Sequence, residues 1–264
     1  MNLRLDGKTA LVTGSTAGIG FAIAQGLCAQ GARVIVNGRS QARVDEAIQR
    51  ISANDTAARL AAGVADLASA SGAEQLIAQH PEVDVLVNSV GVFAPKPFEE
   101  IPDSDWLRFF EINVMSGVRL ARAYLPRMRK TNWGRIVFIS SESGVQIPVE
   151  MIHYGVTKTA QIALARGIAE SVAGTGITVN SVLPGPTKSE GVGTFVAELA
   201  KNEGISEAEF EKQFFATMRP TSLIKRFATP DEVANMVVYV CSPAASATNG
   251  AALRVDGGVI RGIP

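Results

Sequence analysis

The stretch Thr9-Ala-Leu-Val-Thr-Gly-Ser-Thr-Ala-Gly-Ile-Gly20 decides the fold of this chain. A short apolar run from Thr9 to Thr13 is followed by three glycines in the spacing G-x-x-x-G-x-G, and then by an apolar helical pattern from Ile19 to about Gln30. The run predicts a buried strand, and the glycines predict a sharp turn because they tolerate backbone angles that other residues avoid. Strand, tight turn and helix in this order open a βαβ fold.

The rest of the chain repeats this alternation of strands and helices. Helices are predicted at Gln41–Asn54, Asp105–Arg129 and Tyr154–Val172, and further strands at Arg33–Val36, Ala61–Ala65, Val83–Val87, Arg135–Ile139, Ile177–Leu183 and Leu253–Val255. Continuous apolar strands that alternate with helices indicate a parallel sheet covered on both faces. Right-handed crossovers then give a doubly wound, Rossmann-type sheet. We therefore predict an α/β fold with about seven strands, as a single nucleotide-binding domain over residues 1–264.

Composition argues against several classes of protein. The 25 Lys and Arg residues balance 25 Asp and Glu residues, so no surface for nucleic acid is expected. No apolar run approaches the ~20 residues that span a bilayer, and the polar start is unlike a secretory signal, so we expect a soluble cytoplasmic protein without a membrane partner. Cys28 and Cys241 are expected to be free thiols, and the two histidines predict no metal site.

The glycine turn lies where a doubly wound sheet holds the pyrophosphate of a dinucleotide. Glycine lets the backbone approach the phosphates, and the N–H groups at the start of the following helix favour an anion. The spacing differs from the more general G-x-G-x-x-G pattern, and a merely structural turn is the alternative.

The end of the second strand bears on which dinucleotide is bound. It reads Val36-Asn-Gly-Arg-Ser40, with no acidic residue before Asp45 to take the ribose 2′-hydroxyl of NAD. Arg39 carries a planar, permanently charged group suited to a 2′-phosphate. We therefore predict a preference for NADP(H), with NAD(H) possible; the alternative is that Arg39 stacks on the adenine or faces water.

A second pattern, Tyr154-Gly-Val-Thr-Lys158, indicates proton transfer. Residues four apart share one face of a helix, so the phenol and the ammonium are expected to be neighbours. A phenol has an unperturbed pKa of about 10, and a nearby cation lowers it. Ser141 ends an apolar strand and is placed to bind the same substrate oxygen. The alternative is an ordinary Tyr and Lys on a solvated helix.

Taken in order, these residues resemble the short-chain dehydrogenase/reductase family over nearly the whole chain. The family's T-G-x-x-x-G-I-G motif matches Thr13–Gly20, and its Y-x-x-x-K pair matches Tyr154 and Lys158. Its N-N-A-G stretch is reduced here to Asn88-Ser-Val-Gly91. Pro184-Gly185 and the C-terminal segments Arg226–Ala234 and Val255–Gly258 also resemble family signatures.

The resemblance implies the roles of individual residues. The catalytic set is expected to be Asn113, Ser141, Tyr154 and Lys158, with Asn113 holding a water in the proton relay and Lys158 also binding the cofactor ribose. Asp66 is expected to meet the adenine amine, and the backbone of Thr187 the carboxamide, whereas the contact from Ser189 departs from the family pattern. The full set of expected cofactor-binding residues is Gly14, Ser15, Thr16, Gly18, Ile19, Gly20, Arg39, Asp66, Leu67, Asn88, Gly91, Tyr154, Lys158, Pro184, Gly185, Thr187 and Ser189.

The implied activity is hydride transfer between NADP(H) and a carbonyl or secondary alcohol of a small molecule. Ser141 would hydrogen-bond the carbonyl oxygen and Tyr154 would protonate it. A 3-oxoacyl-thioester (acyl-carrier) reductase is an alternative, for which Arg127, Arg129 and Lys130 are candidate carrier contacts. A non-catalytic, nucleotide-sensing regulator is an alternative of another class.

Residues 190–222, between the sixth strand and the last signature, are expected to form a substrate lid. Two short helices are predicted, near Val192–Asn202 and Glu207–Met218, the second with Ser206 as its N-cap and Glu209 completing a capping box. Their apolar side either covers a substrate or packs on the core or another subunit; it comprises Phe195, Leu199, Phe210, Phe214, Phe215 and Met218. The resemblance also implies a homotetramer or dimer, with the long helices after the fourth and fifth strands at the interface.

Overall fold

Seven parallel strands form one sheet at the centre of the molecule. A computed structural model describes residues 1–263, without the side chains of Thr194 and Phe195. The strands are β1 (Thr9–Val12), β2 (Arg33–Gly38), β3 (Arg59–Val64), β4 (Val85–Asn88), β5 (Gly134–Ile139), β6 (Ile177–Pro184) and β7 (Ala252–Val255). Their order is β3-β2-β1-β4-β5-β6-β7, and every neighbouring pair is parallel. The predicted doubly wound sheet is therefore confirmed.

Helices cover both faces of this sheet. They are α1 (Gly18–Ala29), α2 (Gln41–Asn54), α3 (Ala70–Gln79), α4 (Asp103–Phe110), α5 (Ser116–Thr131), α6 (Ile152–Ser171), α7 (Glu190–Glu203), α8 (Glu207–Thr217) and α9 (Pro230–Cys241). Apolar side chains of α1, α2 and α9 form a core on one face, and those of α3, α5 and α6 form a second core on the other. Because both faces are buried, the strands are continuously apolar, which is the pattern that reveals them in the sequence.

The sheet's topology creates a crevice beside β1. This strand pairs with β2 on one side and with β4 on the other, so the chain changes direction across the sheet at this point. Ligands of open α/β sheets bind outside the carboxyl ends of the strands at such a switch point. The glycine turn after β1 and the Asn88–Gly91 segment after β4 both lie there, joined by the Thr13 hydroxyl, which accepts hydrogen bonds from the N–H groups of Ser89 and Val90 at 2.8 and 3.1 Å.

The single helix predicted over Asp105–Arg129 is wrong in one respect. Residues Glu111–Met115 form a turn of π-helix between α4 and α5. Such a turn shifts the backbone hydrogen bonds by one residue and releases a carbonyl group for another partner. Here the carbonyl of Asn113 accepts a hydrogen bond from Nε2 of Gln161 on α6 at 2.5 Å. Helical periodicity carries no signal for a one-residue shift of this kind.

Both helices predicted in the lid are present. The Ser206 side chain accepts a hydrogen bond from the N–H of Glu209 at 3.2 Å, which confirms the predicted N-cap of α8. A reciprocal capping box occurs at α9 instead, between Thr229 and Glu232. The lid thus has defined helix starts and forms a small apolar core of its own, centred on Val196, Phe215 and Phe227.

Candidate active site

A cavity of about 760 Å³ opens at the carboxyl ends of the central strands. Five parts of the chain line it: the glycine turn, residues 89–95 after β4, the segment from β5 into α6, residues 184–189 at the end of β6, and helices α7 and α8. The glycine turn and helices α7 and α8 therefore border one space.

The glycine turn forms a cradle that only glycine can build. Gly14 and Gly18 have φ angles of 63° and 57°, in the left-handed region. A Cβ on Gly20 would lie 2.4 Å from the carbonyl oxygen of Gly14, so a side chain there would push the turn apart. Ala17, at the cap position of α1, has no polar side chain to occupy the first N–H groups of that helix. Open N–H groups at a helix start fit a phosphate, so this cradle suits the pyrophosphate of a dinucleotide.

Ser141, Tyr154 and Lys158 meet on the opposite side of the cavity, all three lining it. Ser141 follows β5, while Tyr154 and Lys158 lie on α6. Two contacts fix the helix against the strand: the Ser140 hydroxyl donates to the carbonyl of Lys158 at 2.8 Å, and Nζ of Lys158 donates to the carbonyl of Ile139 at 2.9 Å. The predicted acid–base group is therefore assembled by the packing of α6 on β5.

The pKa values of this pair differ from the prediction. Burial lowers the pKa of Lys158 to about 7. Burial, followed by the charge of Glu142, raises the pKa of Tyr154 above its ordinary value, while a hydrogen bond with Ser141 and the charge of Arg219 oppose this increase. The lowered phenol pKa expected from Lys158 is therefore wrong for the protein alone. The ammonium lies 5.5 Å from the centre of the phenol ring and donates to other acceptors.

Gln161 is a site residue that sequence reasoning missed. Its amide oxygen accepts a hydrogen bond from Nζ of Lys158 at 3.1 Å, and its amide nitrogen donates to the carbonyl of Asn113. Only 1% of Gln161 is exposed. Gln161 therefore joins the backbone carbonyl of Asn113 to the ammonium of Lys158. Its position one turn beyond Lys158 on α6 was the available signal, since residues three apart share a helix face.

The side chain of Asn113 is occupied by the fold. Its amide oxygen accepts from the N–H of Val92 at 2.7 Å, and its amide nitrogen donates to the carbonyl of Val92 and to the hydroxyl of Thr157. Asn113 therefore holds the segment after β4 against α6. Its carbonyl group, rather than its side chain, faces Gln161.

A buried ion cluster next to Ser141 was also missed. Glu142 accepts a hydrogen bond from the Ser141 hydroxyl at 2.5 Å and pairs with Nε of Arg219 at 3.2 Å. Arg219 also pairs with Glu150 at 3.1 Å. Arg219 follows α8, whereas both carboxylates lie between β5 and α6. Because the partners are 69 and 77 residues apart along the chain, no local pattern could have predicted this contact.

Comparison with known proteins identifies the family of this chain. A family model described as Enoyl-(Acyl carrier protein) reductase matches residues 14–260. The uncharacterized oxidoreductase YvaG of Bacillus subtilis is 47% identical over 263 residues, which cover 100% of both chains. The D-beta-hydroxybutyrate dehydrogenase of Cupriavidus necator is 33% identical over 96% of this chain and 98% of its own length. The chain belongs to the short-chain dehydrogenase/reductase family.

Solved structures of this family give the same fold. The L-sorbose reductase of Gluconobacter frateurii, complexed with NADPH and L-sorbose, matches with a TM-score of 0.93 at 31% identity, over 100% of both chains. This chain is thus an oxidoreductase of the short-chain dehydrogenase/reductase family, which acts on CH–OH groups.

The expected cofactor-binding residues fall into two groups. The first group lines the cavity and comprises Gly14, Gly18, Ile19, Gly20, Gly91, Tyr154, Lys158, Pro184, Gly185, Thr187 and Ser189. The second lies around it: Thr16 and Arg39 flank Gly38 at the end of β2, Asp66 and Leu67 follow β3, and Asn88 ends β4. Arg39 and Asp66 are exposed, whereas both polar atoms of the buried Asn88 side chain have no hydrogen-bond partner among the described residues.

Ser15 is turned into the fold rather than toward the cavity. Its N–H donates to the carbonyl of Asn37 at 2.9 Å, and its hydroxyl donates to the carbonyl of Val12 at 2.7 Å. The same hydroxyl accepts from the N–H of Asn37 at 2.9 Å. These bonds tie β1 to β2 and hold the start of the glycine turn in place.

The apolar side of α7 and α8 divides between the cavity and a local core. Leu199, Phe210, Phe214 and Met218 line the cavity, whereas Phe215 is buried in the lid's own core. The side chain of Phe195 lies outside the described residues.

The basic residues considered for a carrier protein lie away from the cavity. They sit near the end of α5, and helices of this fold run back against the strands, so that end lies where the strands begin. Arg127 pairs with Asp84, just before β4, at 2.8 Å, and Arg129 donates to the carbonyl of Ser171. They therefore form no basic patch at the cavity mouth.

The described part of the chain contains neither a membrane-spanning helix nor a cluster of metal ligands. No helix within residues 1–263 has both the length and the hydropathy that a membrane span requires. In the same residues, no group of three or more His, Cys, Asp or Glu side chains is arranged to hold a metal ion.

Proposed function

We propose that this protein transfers a hydride between NADP(H) and a carbonyl or secondary alcohol of a small molecule, with Tyr154 as the general acid and base. One observation carries the proposal: a single cavity joins the glycine cradle to Ser141, Tyr154 and Lys158. A dinucleotide held at the cradle and a substrate oxygen held at the tyrosine would therefore share one enclosed space.

Each residue has a distinct part in the proposed reaction. A bound nicotinamide supplies or accepts the hydride. Ser141 hydrogen-bonds the substrate oxygen, and Tyr154 protonates that oxygen as negative charge develops on it. Lys158 binds the cofactor ribose and, when protonated, places a positive charge 5.5 Å from the centre of the phenol ring. Gln161 accepts a hydrogen bond from Lys158 and donates one to the carbonyl of Asn113, and these two bonds hold the ammonium in place.

The buried carboxylate of Glu142 sets the orientation of Ser141 in the protein alone. The Ser141 hydroxyl donates its proton to this carboxylate, so its oxygen lone pairs face away from Glu142. To donate to a substrate oxygen, the hydroxyl must rotate out of that bond. Substrate entry and the rotation of one hydroxyl are therefore linked in the proposed mechanism.

The preference for NADP(H) rests on Arg39. It is exposed immediately after β2, on the sheet edge that carries the glycine turn, and no acidic residue precedes it in the loop. The L-sorbose reductase is complexed with NADPH, which supports the same cofactor here. NAD(H) remains the alternative cofactor.

A 3-oxoacyl-thioester reductase is the second candidate. The 3-oxoacyl-[acyl-carrier-protein] reductase FabG of Aquifex aeolicus, 32% identical over 98% of this chain and 100% of its own length, favours it. The positions of Arg127 and Arg129, on the far edge of the sheet, count against it because an acidic carrier protein needs a basic surface at the cavity mouth. The regulator hypothesis is less well supported, since Ser141, Tyr154 and Lys158 are all present around the cavity.

We also propose a homo-oligomer, a tetramer or dimer, in the cytoplasm. Large apolar side chains are exposed on α4 and α6, including Leu107 at 71%, Phe110 at 43% and Val156 at 43%. Exposed apolar groups on neighbouring helices are typical of a subunit interface. Light scattering on the purified protein measures the oligomeric state, and a monomer at micromolar concentration would contradict the proposal.

The activity is tested with a panel of ketones, secondary alcohols and acetoacetyl thioesters, run with NADPH and with NADH. We expect turnover of ketones with a higher kcat/KM for NADPH, and a preference that falls by about tenfold or more in Arg39→Ala, because a phosphate–guanidinium contact is lost. Arg33→Ala, at the other end of β2, is the matched control and should keep the preference. A wild type that favours NADH contradicts the cofactor assignment, and cofactor binding without turnover of any carbonyl contradicts the activity.

A further inference from the structure

The wall of the cavity next to Ser141 is charged and buried. Glu142, Glu150 and Arg219 form it, and all three line the cavity. Arg219 is 11% exposed, Glu142 7% and Glu150 26%, as side chains. Two carboxylates against one guanidinium leave this wall with a net charge of −1 when all three groups are ionised.

The one cation of this wall, Arg219, is not free to pair with an anionic substrate. The guanidinium of Arg219 already contacts both carboxylates and the carbonyl of Met218. Among the described residues that line the cavity, Lys158 is the other cation, and it is engaged with the carbonyl of Ile139 and with Gln161. A substrate carboxylate beside this wall would meet like charge in a site largely removed from water, which is unfavourable.

Hydroxyl groups are the substrate groups that this wall accepts. A carboxylate has two oxygens and about four acceptor positions. Glu142 accepts one hydrogen bond at each oxygen, from Ser141 and Arg219, and Glu150 accepts one from Arg219 at a single oxygen. Acceptor positions therefore remain on both groups, and an alkyl chain cannot fill them. Hydrogen bonds to ionised acceptors are also the stronger kind.

The position of Glu142 sets where those hydroxyls must lie. Its carboxylate is 2.5 Å from the Ser141 hydroxyl that is proposed to hold the reacting oxygen. A hydroxyl on the carbon next to the reacting carbon would thus fall beside Glu142, and one further along the chain beside Glu150. The L-sorbose reductase, a structure of the same fold complexed with a ketose, supports a hydroxyl-rich ligand for such a cavity.

We infer that the substrate is an uncharged, hydroxyl-rich carbonyl compound, an α-hydroxy ketone or the matching polyol, and that Glu142 and Glu150 select it. This inference rests on the proposed function and adds the substrate class. Arg219 acts as a positioning residue, since it holds both carboxylates in place from the lid.

Three carbonyl compounds with four carbons test the substrate class: erythrulose, 2-butanone and acetoacetate. We expect kcat/KM for erythrulose to exceed that for each of the others by about tenfold or more, because only erythrulose offers hydroxyls to ionised acceptors. Acetoacetate, or its thioester, turned over as well as erythrulose would overturn the inference while leaving the proposed function intact. Cofactor binding without turnover of any of the three would instead overturn the proposed function itself.

Two variants test the selecting residues. Glu150→Gln should lower kcat/KM for erythrulose by about tenfold, mainly through KM, and lower it much less for 2-butanone. Glu142→Gln should change kcat for both ketones because Glu142 orients Ser141, so its test is the ratio of kcat/KM for erythrulose to that for 2-butanone, which should fall. Glu170→Gln removes a carboxylate from an exposed ion pair with Arg166 on α6 and is the matched control. An equal loss with both ketones would show a merely structural role and overturn the assignment of these carboxylates.

Discussion

The two sides of the cavity are built on different principles. On the side of β1, the glycine turn is shaped by backbone conformation, with Gly14 and Gly18 at positive φ and Gly20 pressed against a carbonyl group. On the side of β5 and α6, the site consists of side chains, with Lys158 bound to Ile139 and Gln161. The backbone side suits the phosphates that all dinucleotides share, and the side-chain side suits one reaction and one class of substrate.

This difference determines how substitutions on each side of the cavity are expected to act. A cradle made of backbone N–H groups requires only that certain positions stay small. A wall made of Glu142, Glu150 and Arg219 is changed by a single substitution, because each group depends on the others for its charge balance. We therefore expect changes on the first side to affect cofactor affinity, and changes on the second to affect turnover and specificity.

Tyr154→Phe should give the largest effect. The variant removes the proposed acid and leaves the ring packed against Phe93, 6.2 Å away between ring centres. We expect kcat to fall by about 10³-fold, within the range for general acid–base catalysis, and NADPH affinity to change by about tenfold at most. Steady-state kinetics and a fluorescence titration measure the two quantities. Turnover close to that of the wild type would remove the tyrosine from the mechanism.

Gly20→Ala tests the other side. A Cβ there would lie 2.4 Å from the carbonyl oxygen of Gly14, so the turn must shift. Overpacking of this kind costs about 1–3 kcal/mol, and we expect NADPH to bind about 10- to 100-fold more weakly, with little change in kcat at saturation.

Gly167→Ala on α6 is the matched control for that variant. A Cβ at this position meets nothing within 4 Å. The variant should bind NADPH normally and gain about 0.5–1 kcal/mol of stability from helix propensity. If both variants bind NADPH equally well, the cradle is not the cofactor site.

Substitutions of Gln161, on the side-chain half of the site, should have a smaller effect on turnover. Gln161→Leu removes the amide that connects Lys158 to the carbonyl of Asn113, and we expect kcat to fall by about tenfold. Gln161→Glu places a negative charge beside the ammonium, which raises the Lys158 pKa and moves the pH profile of kcat toward higher pH. An unchanged profile in Gln161→Glu would limit Gln161 to a packing role.

The smallest expected effect is a change in stability with pH. Burial lowers the pKa of Lys158 to about 7 from 10.5, so below pH 7 the folded protein holds a poorly solvated ammonium. Between these values the unfolded chain binds more protons than the folded one, and this penalty fades as pH rises. The unfolding free energy of Lys158→Met minus that of the wild type should therefore be highest at about pH 6.5 and lower at about pH 9.5.

Chemical denaturation of both proteins at the two pH values measures that difference. Losses that do not depend on pH, such as the packing of the buried side-chain carbons of Lys158, cancel between the two measurements. A difference in unfolding free energy that stays constant or moves the other way would contradict the lowered pKa.

The fold and the backbone half of the site could be predicted because their signals are local. The glycine spacing, the apolar strands and the Tyr154–Lys158 pair each lie within one short stretch. The contacts that define the substrate wall could not be predicted, since Arg219 reaches Glu142 and Glu150 from a distant part of the chain. The π-turn at Glu111–Met115 was hidden for another reason: a helix with one shifted bond keeps an almost unchanged apolar pattern.

Lys158 is anchored to β5 at two points, through its backbone carbonyl to Ser140 and through its ammonium to Ile139. A helix held this way cannot roll or slide without breaking bonds to the central sheet. The phenol of Tyr154 lies one turn earlier on α6. It is therefore held in position by the central sheet, the most rigid part of the molecule. The alignment of the phenol should therefore persist until the strand core itself unfolds, so heating should misplace Tyr154 only at the temperature at which the sheet is lost.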